Sequence, residues 1–360
     1  MSWIIHLTAV LSYLQLAVTS SEDLCADYPA SLCNTTFSDP KHLKSSSDNV
    51  IHIGVSLKII NKNNNREEED DLDSGFKADI RNVFGSLLAL SSGATQHWII
   101  LTDRRSVGSV NRVLRAALTS HLTLNLIRTY KGRQGRIEGR THLVFIKYFI
   151  TGRRKIRRVP KIIFDFIDLE SIATDPEDVL FIETVQSFMM SKLVEKGLGK
   201  YRDKLFYTGP LYHRIFPSLN KLIFMDVDLD ILCNIKLLYQ QFDQFGPEHL
   251  LGVAYDLSPH YRLNLEQYRR WHPDSTLGDP GPTQGFNTGV VLYNLARMRE
   301  SPEYNRLLSG EEVRRVMSKY GYVVSLGDQD WFTNIGYEAP QIFYRLPCQF
   351  NAQISVQYWR

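Results

Sequence analysis

The stretch Lys221-Leu222-Ile223-Phe224-Met225-Asp226-Val227-Asp228 decides the fold. Its first part, Lys221–Met225, is an apolar run suited to a buried strand, and it ends abruptly in two carboxylates at positions i and i+2, Asp226 and Asp228. Open α/β sheets bind ligands at the carboxyl ends of their strands. Carboxylate oxygens are the ligands that hard divalent cations prefer. The stretch therefore predicts a site for Mn²⁺ or Mg²⁺ at Asp226 and Asp228.

An Asp-x-Asp motif is short, and in many proteins it marks only a turn or a helix cap. A strand followed by this motif also occurs in phosphatases with an aspartate nucleophile, where the first Asp attacks phosphorus. Those enzymes carry the motif near the start of the domain, whereas Asp226 follows at least three candidate strands. A metal that neutralises a departing diphosphate suits a nucleotide-sugar substrate. The position therefore favours sugar transfer, with phosphohydrolysis as the alternative.

Apolar runs of strand length alternate with helical stretches on both sides of the motif. The predicted strands are Val50–Val55, Gln96–Thr102, Leu143–Ile150, Ile162–Phe166, Lys221–Met225, Gly252–Ala254 and Gly289–Tyr293. The predicted helices are Phe76–Leu90, Ser109–Ser120, Glu177–Lys196 and Lys200–Phe216. This alternation is typical of an α/β fold with a doubly wound parallel sheet. A chain of 360 residues with 43% apolar content suits one such domain of about 250 residues plus extensions.

The amino-terminal segments differ in composition from the rest of the chain. Residues 1–20 contain the apolar run Trp3–Val18, which is shorter than the roughly 20 residues that span a bilayer. We expect a cleaved signal peptide, with a short signal-anchor as the alternative. Residues 21–49 are rich in Ser, Asp and Lys and are predicted to be a stem, so that the catalytic domain covers 50–360. The prediction is a protein of the endoplasmic reticulum or Golgi lumen, with anchoring through the amino terminus as the membrane alternative.

The cysteines agree with an oxidising lumen. The chain has four, Cys25, Cys33, Cys233 and Cys348, with no close pair suited to zinc. Cys25 and Cys33 could close a short loop, whereas Cys233 and Cys348 are equally compatible with buried free thiols. Asn34-Thr35-Thr36 is a glycosylation sequon beside that loop.

Charge gives no signal for a macromolecular anion. Lys and Arg total 42 against 39 Asp and Glu, which leaves a net charge of +3 on a large surface. Basic residues crowd between Arg128 and Lys161, and charge runs of this kind are usually solvated. No nucleic-acid partner is predicted.

Three segments downstream of the motif are typical of one family. They are Gly285–Gly289 (GFNTG), Leu326–Phe332 (LGDQDWF) and Leu346–Gln353 (LPCQFNAQ). Together with Asp226-Val227-Asp228 they resemble the glycogenin-like retaining transferases of glycosyltransferase family 8. The resemblance covers roughly Val50 to Arg360 and is dense from Asp226 onward.

Within that family the chain resembles the xylosyltransferases that extend xylose-glucose O-glycans on EGF-like repeats. The resemblance implies a single catalytic domain with the GT-A (Rossmann-like) nucleotide-sugar-binding fold. It also implies UDP-xylose as the donor and an α1,3-linked xylose, made with retention, as the product. The implied partners are xylosyl-glucosyl EGF-like repeats of secreted or membrane proteins, such as Notch-type receptors.

The resemblance also assigns the central site residues. Asp226 and Asp228 take the metal positions, while Asn287 and Gly289 line the sugar pocket. An Asn amide matches ring hydroxyls, and a Gly lets the backbone come close. The alternative for this segment is a tight turn before a strand.

The catalytic assignments fall on Gln329 and Asp330. Gln329 is placed near the anomeric carbon, where its amide oxygen stabilises developing positive charge. Asp330 accepts hydrogen bonds from sugar hydroxyls. No carboxylate nucleophile of the kind that retaining hydrolases use is evident. We therefore expect a front-face displacement in which the UDP phosphate assists the incoming hydroxyl.

The remaining assignments concern substrate binding and have alternatives of equal simplicity. Asp328 faces the donor or caps a helix. Asn351 and Gln353 contact sugar or acceptor, or make ordinary turn hydrogen bonds. Lys204 meets a phosphate or lies on a solvated helix face. At the end of the first strand, where the family holds uridine, stand Val55 and Ser56, although the match there is poor.

The chain departs from the family pattern in one respect. Family members complete the metal site with a His in a His-Gly segment downstream of the region that matches Asn351–Gln353. None of the ten histidines here follows His272. The expectation is that two carboxylates, diphosphate and waters hold the metal, because Mg²⁺ and Mn²⁺ can retain waters. The alternative is a truncated or catalytically impaired member that still binds a nucleotide sugar.

Overall fold

In the computed structural model, the described residues are 50–57, 74–90, 95–103, 106, 109–110, 113–114, 141–145, 148–151, 155–158, 162–168, 175–193, 203–258, 260–275, 285–320 and 326–353. The predicted leader, stem and sequon lie outside them, as do Cys25 and Cys33. The first described strand begins at Val50.

The centre of the molecule is a sheet of eight strands, in the order β10-β8-β9-β7-β1-β2-β6-β3. The strands are β1 Val50–Ser56, β2 Thr95–Thr102, β3 Thr141–Phe145, β6 Ile162–Asp168, β7 Leu222–Met225, β8 Leu251–Tyr255, β9 Phe286–Tyr293 and β10 Phe343–Arg345. A separate antiparallel pair is formed by β4 Tyr148–Thr151 and β5 Lys155–Arg158.

The sheet is mixed rather than fully parallel, which corrects the sequence-based expectation. Strands β7, β1, β2 and β6 lie side by side in the middle of the sheet and are parallel to one another. Strand β10 is parallel to β8. Strand β9 runs antiparallel to both β7 and β8, and β3 runs antiparallel to β6. A continuous apolar run shows that a strand is buried on both faces, but it carries no information on strand direction.

Helices cover both faces of the sheet. They are α1 Ser74–Leu90, α2 Pro176–Leu193, α3 Tyr212–Ile215, α4 Ile235–Tyr239, α5 His260–Trp271, α6 Leu295–Glu300, α7 Pro302–Leu307, α8 Gly310–Tyr320 and α9 Asp328–Glu338. In the part of the chain that the structure describes, none is both long and apolar enough to cross a membrane. One core cluster joins α1 to the face of β1 and β2 that carries Ile53 and Trp98. The other joins α2, α8 and α9 to the opposite face.

Several predicted elements have different bounds. Leu143–Ile150 is not one strand, because β3 and β4 belong to separate sheets. Lys200–Phe216 is not a continuous helix; its described part consists of the 3₁₀ turns Lys204–Tyr207 and Gly209–Leu211 followed by α3. The Gly209-Pro210 pair interrupts the apolar spacing that suggested a helix. Of Ser109–Ser120, the described residues are helical and the rest lies outside the described part.

For Cys348 the structure decides between the alternatives that the sequence left open. Cys348 is part of a disulfide and is not a free thiol. A disulfide at this position agrees with an oxidising compartment.

Replacing Trp98 tests whether its side chain is part of the core beneath β1 and β2. Its side chain is 1% exposed and its ring centroid lies 4.2 Å from that of Phe84 on α1. We expect Trp98→Ala to lower the free energy of unfolding by about 3–5 kcal/mol, because it leaves a large cavity. Urea denaturation measures this change. Trp271→Ala is the matched control, since Trp271 is 66% exposed and should change stability by less than about 0.5 kcal/mol. Equal losses would contradict the assigned core.

Glu338 joins the end of α9 to α8 and predicts a pH dependence. Its carboxylate accepts hydrogen bonds from Lys319 (2.6 Å), Tyr320 (2.5 Å) and Arg315 (2.7 Å). Burial opposes ionisation, but these bonds outweigh it and lower the pKa of Glu338 to about 2. A lowered folded-state pKa gives stability that is present above the ordinary pKa of 4.5 and is lost as the pH falls toward 2.

We therefore expect Glu338→Gln to lower the free energy of unfolding by about 1–3 kcal/mol at pH 7. This is less than the pKa shift alone would give, because water screens the partly exposed cationic partners. The difference from wild type should shrink between pH 4.5 and pH 2. Chemical denaturation across that range measures it. Glu311→Gln, on the exposed face of α8, is the control and should show no such trend. A pH-independent loss would show that the ion pairs do not cause it.

Candidate active site at the carboxyl ends of the central strands

The Asp-x-Asp motif follows β7 directly, as its sequence predicts. The backbone N–H of Asp226 donates to the carbonyl of Gly289 at 2.9 Å, so the first residue beyond β7 is still held by β9. Val227 turns into the core and is 8% exposed, while the side chains of Asp226 and Asp228 are exposed at the sheet edge. The alternation of the extended chain therefore puts both carboxylates on the solvent side.

Negative charge accumulates at this edge. Although the Asp226 side chain is open to solvent, the surrounding protein displaces bulk water, and this desolvation together with repulsion from Asp228 raises the pKa of Asp226. Solvent access limits the size of that shift. Burial and the charge of Asp226 raise the pKa of Asp328 to about 8. These carboxyl groups resist ionising together, as a cluster without a compensating cation does.

The donor set fits a hard divalent cation. Asp226 and Asp228 supply only oxygen ligands, and a cation beside them would relieve the repulsion described above. In the described part of the chain, no cluster of three or more His, Cys, Asp or Glu side chains is arranged to hold a metal. Among the described residues, Asp226 and Asp228 are the pair whose position at the end of β7 suits such a cation.

Asn287, Gly289 and Asn351 meet beside Asp226, and Asn287 and Gly289 are the residues that the resemblance assigns to the sugar pocket. The Asn287 Oδ1 atom accepts from the Gly289 N–H at 3.0 Å and from the Asn351 Nδ2 atom at 2.9 Å. A Cβ atom on Gly289 would lie 3.0 Å from Asn287 Oδ1 and 3.5 Å from Asp226 Oδ2. A larger residue at position 289 would therefore crowd the carboxylate.

Gln353 has its amide occupied by the backbone of the strand end. Its Nε2 atom donates to the carbonyl of Tyr255 and its Oε1 atom accepts from the N–H of Leu257, both at 2.8 Å. Asn351 is buried and donates to Asn287. Both amides thus attach the chain after β10 to the ends of β8 and β9. Their predicted contact with sugar or acceptor stays a prediction.

The Gly-Asp-Gln-Asp segment starts α9. The residue that caps this helix is Gly327, at φ +74°, and not Asp328, which is the first helical residue. A side chain at position 327 would also meet the carbonyl of Phe206 at 2.9 Å. Glycine is required because this left-handed conformation disfavours other residues. The turn sends Asp328 toward Asp226 and leaves Gln329 and Asp330 buried.

Asp330 is 2% exposed, and both of its oxygens accept hydrogen bonds from the protein. The hydroxyl of Tyr261 donates to Oδ1 at 2.7 Å, and the N–H of Leu326 donates to Oδ2 at 3.2 Å. Tyr261 lies on α5, a helix for which the sequence analysis predicted no element. Its role could not be foreseen, because the sequence does not show that α5 returns over the start of α9.

Gln329 is 7% exposed and has both ends of its amide engaged. The N–H of Thr288 donates to its Oε1 atom at 3.1 Å, and its Nε2 atom donates to Oδ2 of Asp256 at 3.1 Å. The sequence analysis missed Asp256. A signal was present, since Asp256 directly follows the apolar strand β8 just as Asp226 follows β7.

The end of β1 contributes less directly than predicted. The side chain of Val55 is fully buried in the core on the α1 face, so only its backbone is available to a ligand. Ser56 points to the other face and hydrogen-bonds with the hydroxyl of Tyr212. Burial raises the pKa of Tyr212, and the charges of Asp328 and Asp226 act in the same direction. Tyr212 therefore connects Ser56 with the carboxylate cluster.

Lys204 is exposed at the first position of a 3₁₀ turn. Among the residues that the structure describes, no ion pair or hydrogen bond joins Lys204 to the carboxylates. The adjacent residue Asp203 caps this turn through the N–H of Leu205. The structure thus places Lys204 on a solvated face, and its predicted phosphate contact stays a prediction.

A mixed α/β sheet with an aspartate pair at the end of an inner strand, beside the amides of Asn287 and Asn351, is the arrangement expected of a nucleotide-sugar transferase of the GT-A fold. The model of glycosyl transferase family 8 matches residues 42–360. The chain belongs to this family, whose members generally depend on a divalent metal. Membership decides against the phosphohydrolase alternative.

Two relatives show which members of the family have similar sequences. The chain is 40% identical to human xyloside xylosyltransferase 1 over 175 residues, which are 48% of this chain and 44% of the relative. It is 32% identical to the chicken xylosyl- and glucuronyltransferase LARGE2s over 141 residues, or 38% of this chain and 17% of that protein. These matches span less than half the length of either relative.

The structural comparison covers more of both chains. The crystal structure of mouse xyloside xylosyltransferase 1 in its apo form matches with a TM-score of 0.60 and 26% identity. This match covers 83% of this chain and 85% of the mouse chain. The two proteins therefore share the fold of the catalytic domain as well as the dense sequence match.

Gly209 tests the crowding beneath Asp328. A Cβ atom there would lie 2.2 Å from Asp328 Oδ2 and 3.1 Å from the Tyr293 hydroxyl. We expect Gly209→Ala to displace the Asp328 carboxylate and to lower the free energy of unfolding by about 1–3 kcal/mol. Denaturation and a crystal structure of the variant measure both effects. Gly246→Ala is the control, because its nearest neighbour, a ring atom of His249, lies at 3.5 Å. An unmoved Asp328 would contradict the assigned contact.

Proposed function

We propose that the chain is a retaining, metal-dependent glycosyltransferase that moves xylose from UDP-xylose to a xylose-glucose glycan on EGF-like repeats, forming an α1,3 linkage. The observation that carries the proposal is the sequence match to human xyloside xylosyltransferase 1 together with the aspartate pair at the end of β7. Family membership supports the coarser statement of a nucleotide-sugar donor and a glycoprotein acceptor.

Asp226 and Asp228 are the residues proposed to hold Mn²⁺ or Mg²⁺. A bound divalent cation supplies positive charge that neutralises the departing diphosphate. The geometry supports this role, since both side chains are exposed on one edge while the backbone of Asp226 is fixed to β9. The donor sugar is assigned to the side of Asn287 and Gly289, which lie beside Asp226 and are held together by the hydrogen bond from the Gly289 N–H to Asn287 Oδ1.

Gln329 is proposed to face the anomeric carbon with its amide oxygen. Thr288 and Asp256 hold the amide from either end, so the oxygen keeps one orientation. Asp330 is not expected to act as a nucleophile. The hydroxyl of Tyr261 and the N–H of Leu326 donate hydrogen bonds to its two oxygens, and these bonds reduce its capacity as a nucleophile. The arrangement favours a front-face displacement, in which a phosphate oxygen of UDP takes the proton of the incoming hydroxyl.

The lumen of the endoplasmic reticulum or Golgi is the proposed location. The apolar residues 1–20, the sequon at Asn34 and the disulfide at Cys348 all suit that compartment. EGF-like repeats are disulfide-rich modules of secreted and surface proteins, so enzyme and acceptor would meet there.

The test is release of UDP from UDP-xylose by the purified lumenal segment, with Mn²⁺ and a xylosyl-glucosyl EGF repeat. We expect turnover that depends on the acceptor and is abolished by EDTA. Asp226→Ala combined with Asp228→Ala should reduce turnover at least about 1,000-fold, because charge on the leaving group is then uncompensated. UDP with Mn²⁺ should raise the melting temperature of wild type but not of this variant.

A charge-matched control removes two carboxylates elsewhere, the half-buried Glu303 on α7 and the exposed Glu311 on α8. Glu303→Gln with Glu311→Gln should leave turnover unchanged, since Glu303 bonds to Gln341 and neither carboxylate bonds to a site residue in the described part of the chain. Turnover with UDP-glucuronate in place of UDP-xylose would correct the donor. No turnover with either donor, by this chain and by a form extended with a family His-Gly segment, would reject the proposed donor and acceptor.

A further inference from the structure

Asp256 is a buried carboxylate that the aspartate motif does not explain. It directly follows β8 and is 3% exposed. Its Oδ1 atom accepts from the N–H of Ser258 at 2.8 Å, and its Oδ2 atom accepts from Nε2 of Gln329 at 3.1 Å. Both oxygens accept from N–H donors, as an ionised carboxylate does. Its own backbone N–H donates to the carbonyl of Gly285 at 2.9 Å, which ties the end of β8 to the start of β9.

These contacts determine which way the Gln329 amide points. The Oε1 atom faces the N–H of Thr288 at 3.1 Å, and the Nε2 atom faces the carboxylate of Asp256. A flipped amide would place N–H against N–H at Thr288 and oxygen against carboxylate at Asp256. Both contacts would be repulsive, so the protein selects one of the two orientations.

A carboxylate acceptor does more than orient the amide. Hydrogen bonds to an ionised acceptor are roughly twice as strong as neutral ones, and in a buried setting they polarise the donor group. An amide that donates to Asp256 carries more negative charge on its oxygen. That oxygen has a second lone pair, which the Thr288 N–H leaves available.

We propose that Asp256 is a positioning residue for Gln329, which fixes the amide with its oxygen toward the donor sugar and increases the negative charge on that oxygen. The inference rests on the proposed function, because it assigns Gln329 to the anomeric carbon. It extends that function to a residue outside the aspartate motif and outside the Gly-Asp-Gln-Asp segment.

A purely structural role would have a different signature. If Asp256 only held the turn after β8 through Ser258, its loss would lower stability and affect catalysis independently of Gln329. If it acts through Gln329, its loss should have no further effect once the Gln329 side chain is removed. A double-mutant cycle distinguishes the two cases.

The experiment compares Asp256→Asn, Gln329→Ala and the double variant in the UDP-xylose assay with acceptor and Mn²⁺. Asp256→Asn keeps the shape and removes the charge. We expect kcat to fall about 10- to 100-fold and KM for UDP-xylose to stay within about 2-fold, because orientation is lost while ground-state binding is kept. The double variant should match Gln329→Ala alone. Affinity for UDP with Mn²⁺, measured by calorimetry, should be unchanged in all three.

Asp178→Asn is the matched control. Asp178 is also a buried carboxylate with a strong partner, the guanidinium of Arg214 at 2.7 Å, but it lies on α2. This variant should lose stability and keep the wild-type kcat.

Two results would overturn the proposal: an unchanged kcat in Asp256→Asn, or losses that multiply in the double variant. If wild type does not use UDP-xylose, the proposed function fails. The positioning role of Asp256 can still be tested without the assay. A neutron structure of Asp256→Asn, which distinguishes the amide nitrogen from the oxygen, then gives the answer. A flipped or displaced Gln329 amide would support the positioning role, and an amide with its oxygen still at the Thr288 N–H would reject it.

Discussion

The antiparallel pairing of β7 with β9 is the constraint on which the rest of the site depends. It runs from Leu222 opposite Tyr293 to Met225 opposite Val290, and the Asp226 N–H extends it by one bond to Gly289. Because β9 begins with Phe286-Asn287-Thr288, this pairing brings the amide segment beside the aspartate pair. Burial of both strands in a sheet covered on its two faces keeps the arrangement rigid.

Charge and hydrogen bonding divide the site into two halves with different character. On the β7 side, burial and the charge of Asp228 raise the pKa of Asp226, and burial and the charge of Asp226 raise that of Asp328, so the cluster is short of positive charge. On the α9 side, Gln329 and Asp330 have their polar atoms satisfied by Thr288, Asp256 and Tyr261. The first half is arranged to attract a cation and diphosphate, and the second half is arranged to hold a fixed dipole. Such preorganised polarity is the usual source of transition-state stabilisation.

Sequence patterns predicted the strands best where they are buried on both faces. β1, β2, β7 and β9 stand close to their predicted positions, because continuous β-branched and aromatic runs leave little ambiguity. The patterns did not predict direction, and they overestimated helix between 200 and 216, where Gly209-Pro210 breaks the chain into 3₁₀ turns. The helix α5 was missed for a similar reason, since its polar and aromatic composition resembles that of a loop.

The sequence by itself determined the family, the position of the aspartate pair and the segments that contribute to the sugar pocket. These are local properties, because a strand that ends in carboxylates and a Gly-rich turn before a strand are written in consecutive residues. Tertiary structure decided which partners these groups have within the protein. It showed that the amides of Asn351 and Gln353 bind the chain itself, that Val55 points into the core, and that Asp256 and Tyr261 support Gln329 and Asp330. The physical reason is that hydrogen-bond partners distant in the chain become neighbours only when the sheet and its covering helices have formed.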